Sequence, residues 1–167
     1  MNTIAFDPGI RTFQTGYTNK GQLVEYGNQD IQNICRLAKQ MDKLHSKIDK
    51  YQKDEYSSKQ ERTYFKNQRR RWRKRIGLLG NRIQNLKRDM HWKLAREIVQ
   101  QNKHILCSRF QVSQMIKKET RKIKKEIIKQ MLHWSHYQFR QRLKHKAREY
   151  GSIVHELGEH YSSKGCG

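Results

Sequence analysis

The 167-residue chain has one proline and three cysteines, and each shortage excludes some classes of structure. With one proline and few glycines after Gly27, most of the chain can be helical. Its three cysteines, Cys35, Cys107 and Cys166, are odd in number and widely spaced, which excludes a disulfide framework and predicts reduced thiols. No run of about 18 apolar residues occurs, and no signal-peptide core follows Met1, so we expect an intracellular protein and no transmembrane helix.

Acidic residues are also scarce. The chain has 37 Lys and Arg against 15 Asp and Glu, a formal net charge of +22, and a pI of about 10.2. Such a surplus repels itself unless a polyanion is bound, so nucleic acid is the expected partner and a membrane surface the weaker alternative. The length suits one domain, and a hydrophobic content of 34% allows only a small core.

The first 27 residues carry the signals of β-structure. Residues 3–6, 11–18 and 22–26 have the composition and alternation of short strands. Pro8-Gly9 and the turn at 19–21 join them, which predicts three antiparallel strands.

From Asp30 onward the apolar residues recur every three or four positions. Two such stripes, over 30–51 and from about 60 to 99, predict a helical hairpin broken near Ser57-Ser58 and inserted at about 30–102. A buried fourth strand is expected at 104–110. A helix over 131–150 and a fifth strand over 152–157 should follow it. The order of three strands, insertion, strand, helix and strand is that of an α/β, RNase H-like fold with a mixed sheet of about five strands.

Two basic segments are candidate nucleic-acid surfaces. The first holds Arg69, Arg70, Arg71, Trp72, Arg73, Lys74 and Arg75, where the cations suit phosphates and the indole suits stacking. A solvated helix face and a nuclear localisation signal are the alternatives for it. The second segment, 117–129, contributes Lys117, Lys118, Arg121, Lys122, Lys124 and Lys125.

Asp7 is the candidate metal ligand. It ends the first predicted strand and enters the Pro8-Gly9 turn, an arrangement that holds a carboxylate at a defined place. The alternative is an ordinary hairpin, because aspartate is favoured in turns through local hydrogen bonds alone.

Three pieces of the sequence resemble the transposon-encoded TnpB (OrfB) nucleases and, among them, the eukaryotic and viral Fanzor relatives. Residues 5–13 (AFDPGIRTF) resemble the first RuvC motif of that family. Residues 134–143 (WSHYQFRQRL), with Lys146-Ala147, are similar to the helix before the last strand. Residues 159–167 (EHYSSKGCG) resemble the entry into a zinc ribbon.

The resemblance implies an RNA-guided DNA endonuclease with a RuvC-like site, whose partners are DNA and a guide RNA and whose metal is a Mg²⁺ or Mn²⁺ pair. Asp7 matches the first catalytic carboxylate. The end of the fourth strand, where some relatives carry a glutamate, has no acidic residue here. Glu159 matches a relocated second carboxylate, with a surface glutamate as the alternative role and Glu156 as the less favoured position.

The same resemblance implies parts that we do not find in this sequence. Cys166 would be the first ligand of a four-cysteine zinc ribbon, so Zn²⁺ is expected only in a full-length relative. A third carboxylate and an N-terminal nucleic-acid-binding domain would lie outside the chain. We therefore expect 1–167 to be an incomplete RuvC-like domain with impaired catalysis, located in the nucleus or a virus-infected cell; the alternative is a DNA- or RNA-binding remnant of a mobile element.

Overall fold

One five-stranded mixed sheet organises the fold in this computed structural model, which describes residues 2–27, 30–53, 56–109 and 124–158. In those ranges the sheet order is β3-β2-β1-β4-β5. The three N-terminal strands pair antiparallel, whereas β4 lies parallel to β1 and β5 parallel to β4. The five strands are β1 (Thr3–Pro8), β2 (Gln14–Thr18), β3 (Leu23–Tyr26), β4 (His104–Ser108) and β5 (Ile153–Leu157).

The strands alternate between a buried and an open face. Ile4 and Phe6 of β1 are buried, as are Ile105 and Cys107 of β4, while Ala5 on β1 is exposed. Because successive side chains point to opposite faces, all buried residues of a strand lie on one side of the sheet. The expected mixed α/β architecture is confirmed.

The second strand begins later than the sequence predicted. It was expected from residue 11, but residues 9–13 form a loop closed by a hydrogen bond from the Gly9 N–H to the Phe13 carbonyl oxygen, 3.3 Å long. The indole Nε1 of Trp134 donates to the Ile10 carbonyl oxygen at 2.8 Å. These bonds use backbone groups that a strand would have paired with its neighbours.

The described ranges contain four helices. The predicted break near Ser57-Ser58 is confirmed, because the Ser58 hydroxyl accepts the Glu61 backbone N–H and the Glu61 carboxylate accepts the Ser57 N–H, which caps a new helix. None of the helices is long and apolar enough to cross a membrane. Their bounds are α1 (Asp30–Lys53), α2 (Lys59–Gln101), α3 (Lys125–Trp134) and α4 (His136–Tyr150).

The prediction of a single helix over 131–150 was wrong. Ser135 has φ 52° and ψ 50°, a left-handed conformation that ends α3, and α4 begins at the next residue. In contrast, α2 continues through Gly77 and Gly80 for 43 residues despite their low helix propensity.

The chain divides into two compact units, residues 32–87 and the remainder, 1–31 with 88–167. The first unit consists of most of α1 and the first two thirds of α2, which pack as a helical hairpin. Apolar side chains of α1 and α2 form its core: Ile34, Leu37, Leu79 and Ile83, with Ala38, Met41 and Leu44 packed against them. Nearer the helix connection, the Tyr51 ring stacks on Phe65 with 4.4 Å between centroids.

Phe13 is the centre of the core in the sheet-containing unit. It is fully buried, and its ring is stacked between the rings of His91 and His136, with centroid distances of 5.2 and 4.9 Å. Trp134 and Phe139 complete the aromatic cluster, each 4.9 Å from Phe13. This cluster joins the start of β2 to three helices.

Both histidines in the cluster are built into the core as neutral rings. The Arg142 guanidinium approaches His91 Nδ1 to 2.6 Å, and His91 Nε2 lies 2.9 Å from the Trp134 carbonyl oxygen. Because a guanidinium only donates, Nδ1 accepts and the Nε2–H donates to Trp134. His136 Nδ1 is 3.2 Å from the Gln14 side-chain nitrogen, and burial, aided by the charge of Arg140, lowers the pKa of His136 to about 4.

We expect the fold to lose stability as pH falls from 6.5 to about 4. In that interval the unfolded chain binds a proton at residue 136 and the native chain does not, so the free energy of unfolding decreases, by about 3 kcal/mol for a pKa lowered from 6.5 to about 4. Urea unfolding of the purified chain at pH 7.5 and pH 4.5 measures this loss.

The comparison between two variants isolates the contribution of His136. His136→Gln should lower stability at pH 7.5 yet lose much less of it on acidification than the wild type. His45→Gln, a change at an exposed position, should keep the full pH response. An equal loss in all three proteins would contradict the assignment.

Candidate functional site

Asp7 stands at the carboxyl end of the central strand, with its side chain exposed. It pairs with Thr15 on β2, which in turn pairs with Glu25 on β3. Because β1, β4 and β5 are parallel, their carboxyl ends meet at the same edge of the sheet. Ligand sites of open α/β sheets are found at that edge.

Buried side chains hold the turn that follows Asp7. Trp134 donates to Ile10, and His136, two residues later, interacts with the Gly9 backbone and the Gln14 side chain. A Cβ on Gly9 would lie 2.5 Å from the Thr12 carbonyl oxygen, so only glycine fits there. The α3–α4 junction therefore supports the Asp7 turn from the core, as a defined site requires.

An aspartate carboxylate is a hard oxygen ligand of the type that Mg²⁺ and Mn²⁺ prefer, so Asp7 fits the predicted metal. Within the described ranges, no group of three or more His, Cys, Asp or Glu side chains could hold a metal ion. Glu25 shares the open face but lies two strands from Asp7, about 10 Å at ordinary strand spacing. Glu159 and Cys166 lie outside the described residues, and their roles stay predictions.

Glu156 does not lie beside Asp7. It pairs with buried Cys107, which pairs with Phe6, so its side chain is on the face opposite to that of Asp7. Its carboxylate is 3.0 Å from Lys144 Nζ and 3.6 Å from Arg140 Nε. The hydrogen bond from Lys144 and the nearby cations lower the pKa of Glu156. It ties β5 to α4.

The end of β4 carries no carboxylate. Ser108 is on the same face as Asp7, and its hydroxyl is buried with no hydrogen-bond partner among the residues that the structure describes. The preceding Cys107 is turned to the core, where burial raises the pKa of its thiol to about 12 and keeps it protonated at neutral pH.

Two residues of the first basic segment have packing roles in the helical hairpin. Arg69 Nη1 donates to the Tyr51 carbonyl oxygen at 2.8 Å and to the Tyr56 hydroxyl. Trp72 is half-buried, with its ring centroid 5.6 Å from that of Tyr51. Their binding to nucleic acid stays a prediction, but both side chains already stabilise the hairpin.

The other five cations of this segment are exposed on α2. Their spacing places Arg70 beside Lys74 and Arg71 beside Arg75, one helical turn apart. Of the six cations named for the second segment, only Lys124, also exposed, has a described side chain. Lys125 begins α3 without a described side chain, and Lys117, Lys118, Arg121 and Lys122 lie outside the described residues. The exposed cations of the first segment are Arg70, Arg71, Arg73, Lys74 and Arg75.

A cationic cleft that the sequence analysis missed lies in the sheet-containing unit. It is open, has a volume of about 450 Å³, and is built by α2 and α4. The Lys146 ammonium and the Arg142 guanidinium lie 5.5 and 5.9 Å from the centroid of the Trp92 ring. The helical spacing of Trp92, Lys93 and Arg96 was a signal for it, but α4 completes the cleft from some 50 residues away. The lining residues are Trp92, Lys93, Arg96, His145 and Lys146.

Comparison with known proteins agrees with the family resemblance. The OrfB IS605 family model, described as "Probable transposase", matches residues 1–119, and a Cas12f1-like TNB domain model matches 136–167. The TnpB-like proteins L79 and R854 of Acanthamoeba polyphaga mimivirus are 24% identical over 165 residues, which is 99% of this chain and 30% of theirs.

A further relative is "Putative transposase A625R" of Paramecium bursaria Chlorella virus 1, 26% identical over 167 residues, with 34% of its length covered. The chain thus spans about a third of the length of these relatives. Since one family model covers more than two thirds of the sequence, the expected relationship is confirmed: the chain belongs to the OrfB IS605 family of probable transposases.

Proposed function

We propose that this chain carries the RNase H-like, RuvC-type nuclease core of a TnpB-like, RNA-guided DNA endonuclease. The observation that carries the proposal is the exposed carboxylate of Asp7 at the end of the central strand, on a turn anchored by Trp134 and His136. The mixed sheet, with three antiparallel strands and two added in parallel, supports the RNase H-like fold. Family membership supports the reaction class.

In this proposal Asp7 and Glu159 hold Mg²⁺ or Mn²⁺. The chain leaves β5 at Leu157, at the sheet edge where β1 ends, and Glu159 follows two residues later. A bound divalent ion supplies Lewis-acid polarisation of the phosphodiester. The role of Asp7 is to keep that ion at a fixed position relative to the sheet.

The nucleic-acid partners are proposed to bind the two cationic surfaces. The five exposed cations of α2 suit phosphates of guide RNA or DNA. The Trp92 cleft combines an aromatic wall with cationic side chains, and this combination suits an unstacked base and its backbone. The net charge of +22 favours association with any polyanion.

A second candidate function is nucleic-acid binding without cleavage. It is favoured by one observation: among the described residues, Asp7 is not part of a group of three or more His, Cys, Asp or Glu side chains that could hold a metal ion. The two candidates differ in their response to loss of Asp7.

Replacing Asp7 by Asn should abolish metal-dependent cleavage of single-stranded DNA. Loss of a ligand that supplies several kcal/mol of transition-state stabilisation corresponds to a rate at least about 100-fold lower. Cleavage of an end-labelled oligonucleotide in Mn²⁺ measures the rate, and a binding assay should show unchanged affinity.

Glu25→Gln is the matched control, because it removes an exposed carboxylate from the same face and should retain activity. Cleavage that survives Asp7→Asn would disprove the assignment. Binding without cleavage by the wild-type chain would support the second candidate.

Replacing Trp92 by Leu should weaken binding of a fluorescein-labelled single-stranded oligonucleotide by about 1–3 kcal/mol, the usual value of one stacked base. The salt dependence should stay the same, because no charge is removed. Arg96→Gln should instead reduce the slope of log affinity against log salt by about 0.7.

Tyr17→Leu, which changes an exposed aromatic residue on the open sheet face, is the control and should bind like the wild type. Circular dichroism melts check that each variant is folded. Equal affinities for Trp92→Leu and Tyr17→Leu would show that the cleft is not part of the nucleic-acid-binding surface.

A further inference from the structure

Two histidines meet on the open face of the sheet. His104 is the first residue of β4, and His155 is in the middle of the neighbouring β5. Both alternate with residues of the other face, so their rings are outside the core. The rings are nearly parallel, at 26°, with 5.4 Å between centroids. His104 Nδ1 is 3.2 Å from His155 Nε2.

This separation suits two kinds of interaction. Two neutral imidazoles at 3.2 Å share one N–H, which one ring donates and the other accepts. Alternatively, both nitrogens present lone pairs to one cation. Two nitrogens on a tetrahedral zinc ion, each bonded at 2.0–2.1 Å, lie about 3.3 Å apart. The rings therefore have the spacing of a chelate before any ion binds.

The backbone on both sides of the pair is well anchored. The Lys103 and His104 N–H groups donate to the Asn2 carbonyl oxygen, and the Ile153 N–H donates to the Lys103 carbonyl oxygen at 2.8 Å. The Ser152 hydroxyl adds a bond to the Asn102 carbonyl oxygen at 2.9 Å. Because both histidines lie on paired strands rather than on loops, little ordering is needed when an ion binds.

We propose that His104 Nδ1 and His155 Nε2 bind a divalent transition-metal ion of the zinc class. Imidazole nitrogens suit Zn²⁺, Ni²⁺ and Cu²⁺, whereas Mg²⁺ and Mn²⁺ prefer oxygen ligands. In the described residues no third His, Cys, Asp or Glu completes the site. The remaining coordination positions are therefore filled by water or by a donor from another molecule, as in open zinc sites.

The site is separate from Asp7. His104 pairs with Thr3 at the start of β1, and Asp7 lies four residues further along that strand, about 13 Å away. His104 therefore lies at the opposite end of the same sheet face, and His155, which pairs with Leu106, lies nearer the middle of the face. This proposal does not depend on nuclease activity.

Isothermal titration of the chelator-treated chain with ZnCl₂ tests the proposal. His104→Gln and His155→Gln should each lose one zinc equivalent or weaken its binding by more than about 100-fold, beyond the cost of losing an outer-shell partner. His45→Gln, which removes an exposed histidine elsewhere, should bind zinc like the wild type.

The histidine ring nitrogens give a second measurement. In long-range ¹H–¹⁵N spectra, zinc should shift His104 Nδ1 and His155 Nε2 and leave His45 unchanged. Identical zinc stoichiometry and affinity in all variants would overturn the proposal. A loss in only one of the two histidine variants would also overturn it, because a chelate needs both rings.

Discussion

The stacking of Phe13 between His91 and His136 is the contact on which the sheet-containing unit depends. Phe13 directly precedes β2, His91 lies in α2, and His136 is the first residue of α4. One ring therefore contacts elements that lie far apart in the sequence. Gly27 adds a close approach, because a Cβ there would lie 2.7 Å from the Phe13 Cβ. The turn after Asp7 takes its position from this cluster.

The cluster also shows how a chain of net charge +22 keeps its core neutral. A buried cation costs several kcal/mol unless it is paired. His136 avoids that cost because burial lowers its pKa, and His91 avoids it by accepting a hydrogen bond from the Arg142 guanidinium. The five exposed cations of α2 lie at the surface, where phosphates can neutralise them.

Much of the fold was predictable because it follows local patterns. Alternating apolar residues gave the approximate positions of β1, β3, β4 and β5, and the three-to-four spacing gave both long helices. The late start of β2 was not predictable, since it depends on a hydrogen bond from Trp134, more than 120 residues away. The left-handed conformation of Ser135 was not predictable for a similar reason, because a non-glycine residue takes that conformation only when its surroundings impose it.

The residues of the candidate site were likewise predictable only where a local sequence pattern marks them. Asp7 was visible because a strand, a carboxylate and a Pro-Gly turn are consecutive in the sequence. Arg69 and Trp72 gave a cationic, aromatic pattern, yet the structure packs both against Tyr51, which composition could not indicate. The Trp92 cleft and the His104–His155 pair each bring together residues about 50 positions apart, so no local sequence pattern could predict them.

The open sheet face therefore has different ligand chemistry at its two ends. At the carboxyl end of β1 it presents a carboxylate, and where β4 begins it presents imidazole nitrogen. Hard cations such as Mg²⁺ prefer the first and borderline cations such as Zn²⁺ the second. Because strand direction decides which residues lie at which end, the parallel pairing of β1, β4 and β5 separates the two kinds of ligand. In the two proposals, the ion at Asp7 and the ion at the histidine pair use different side chains and therefore do not compete for ligands.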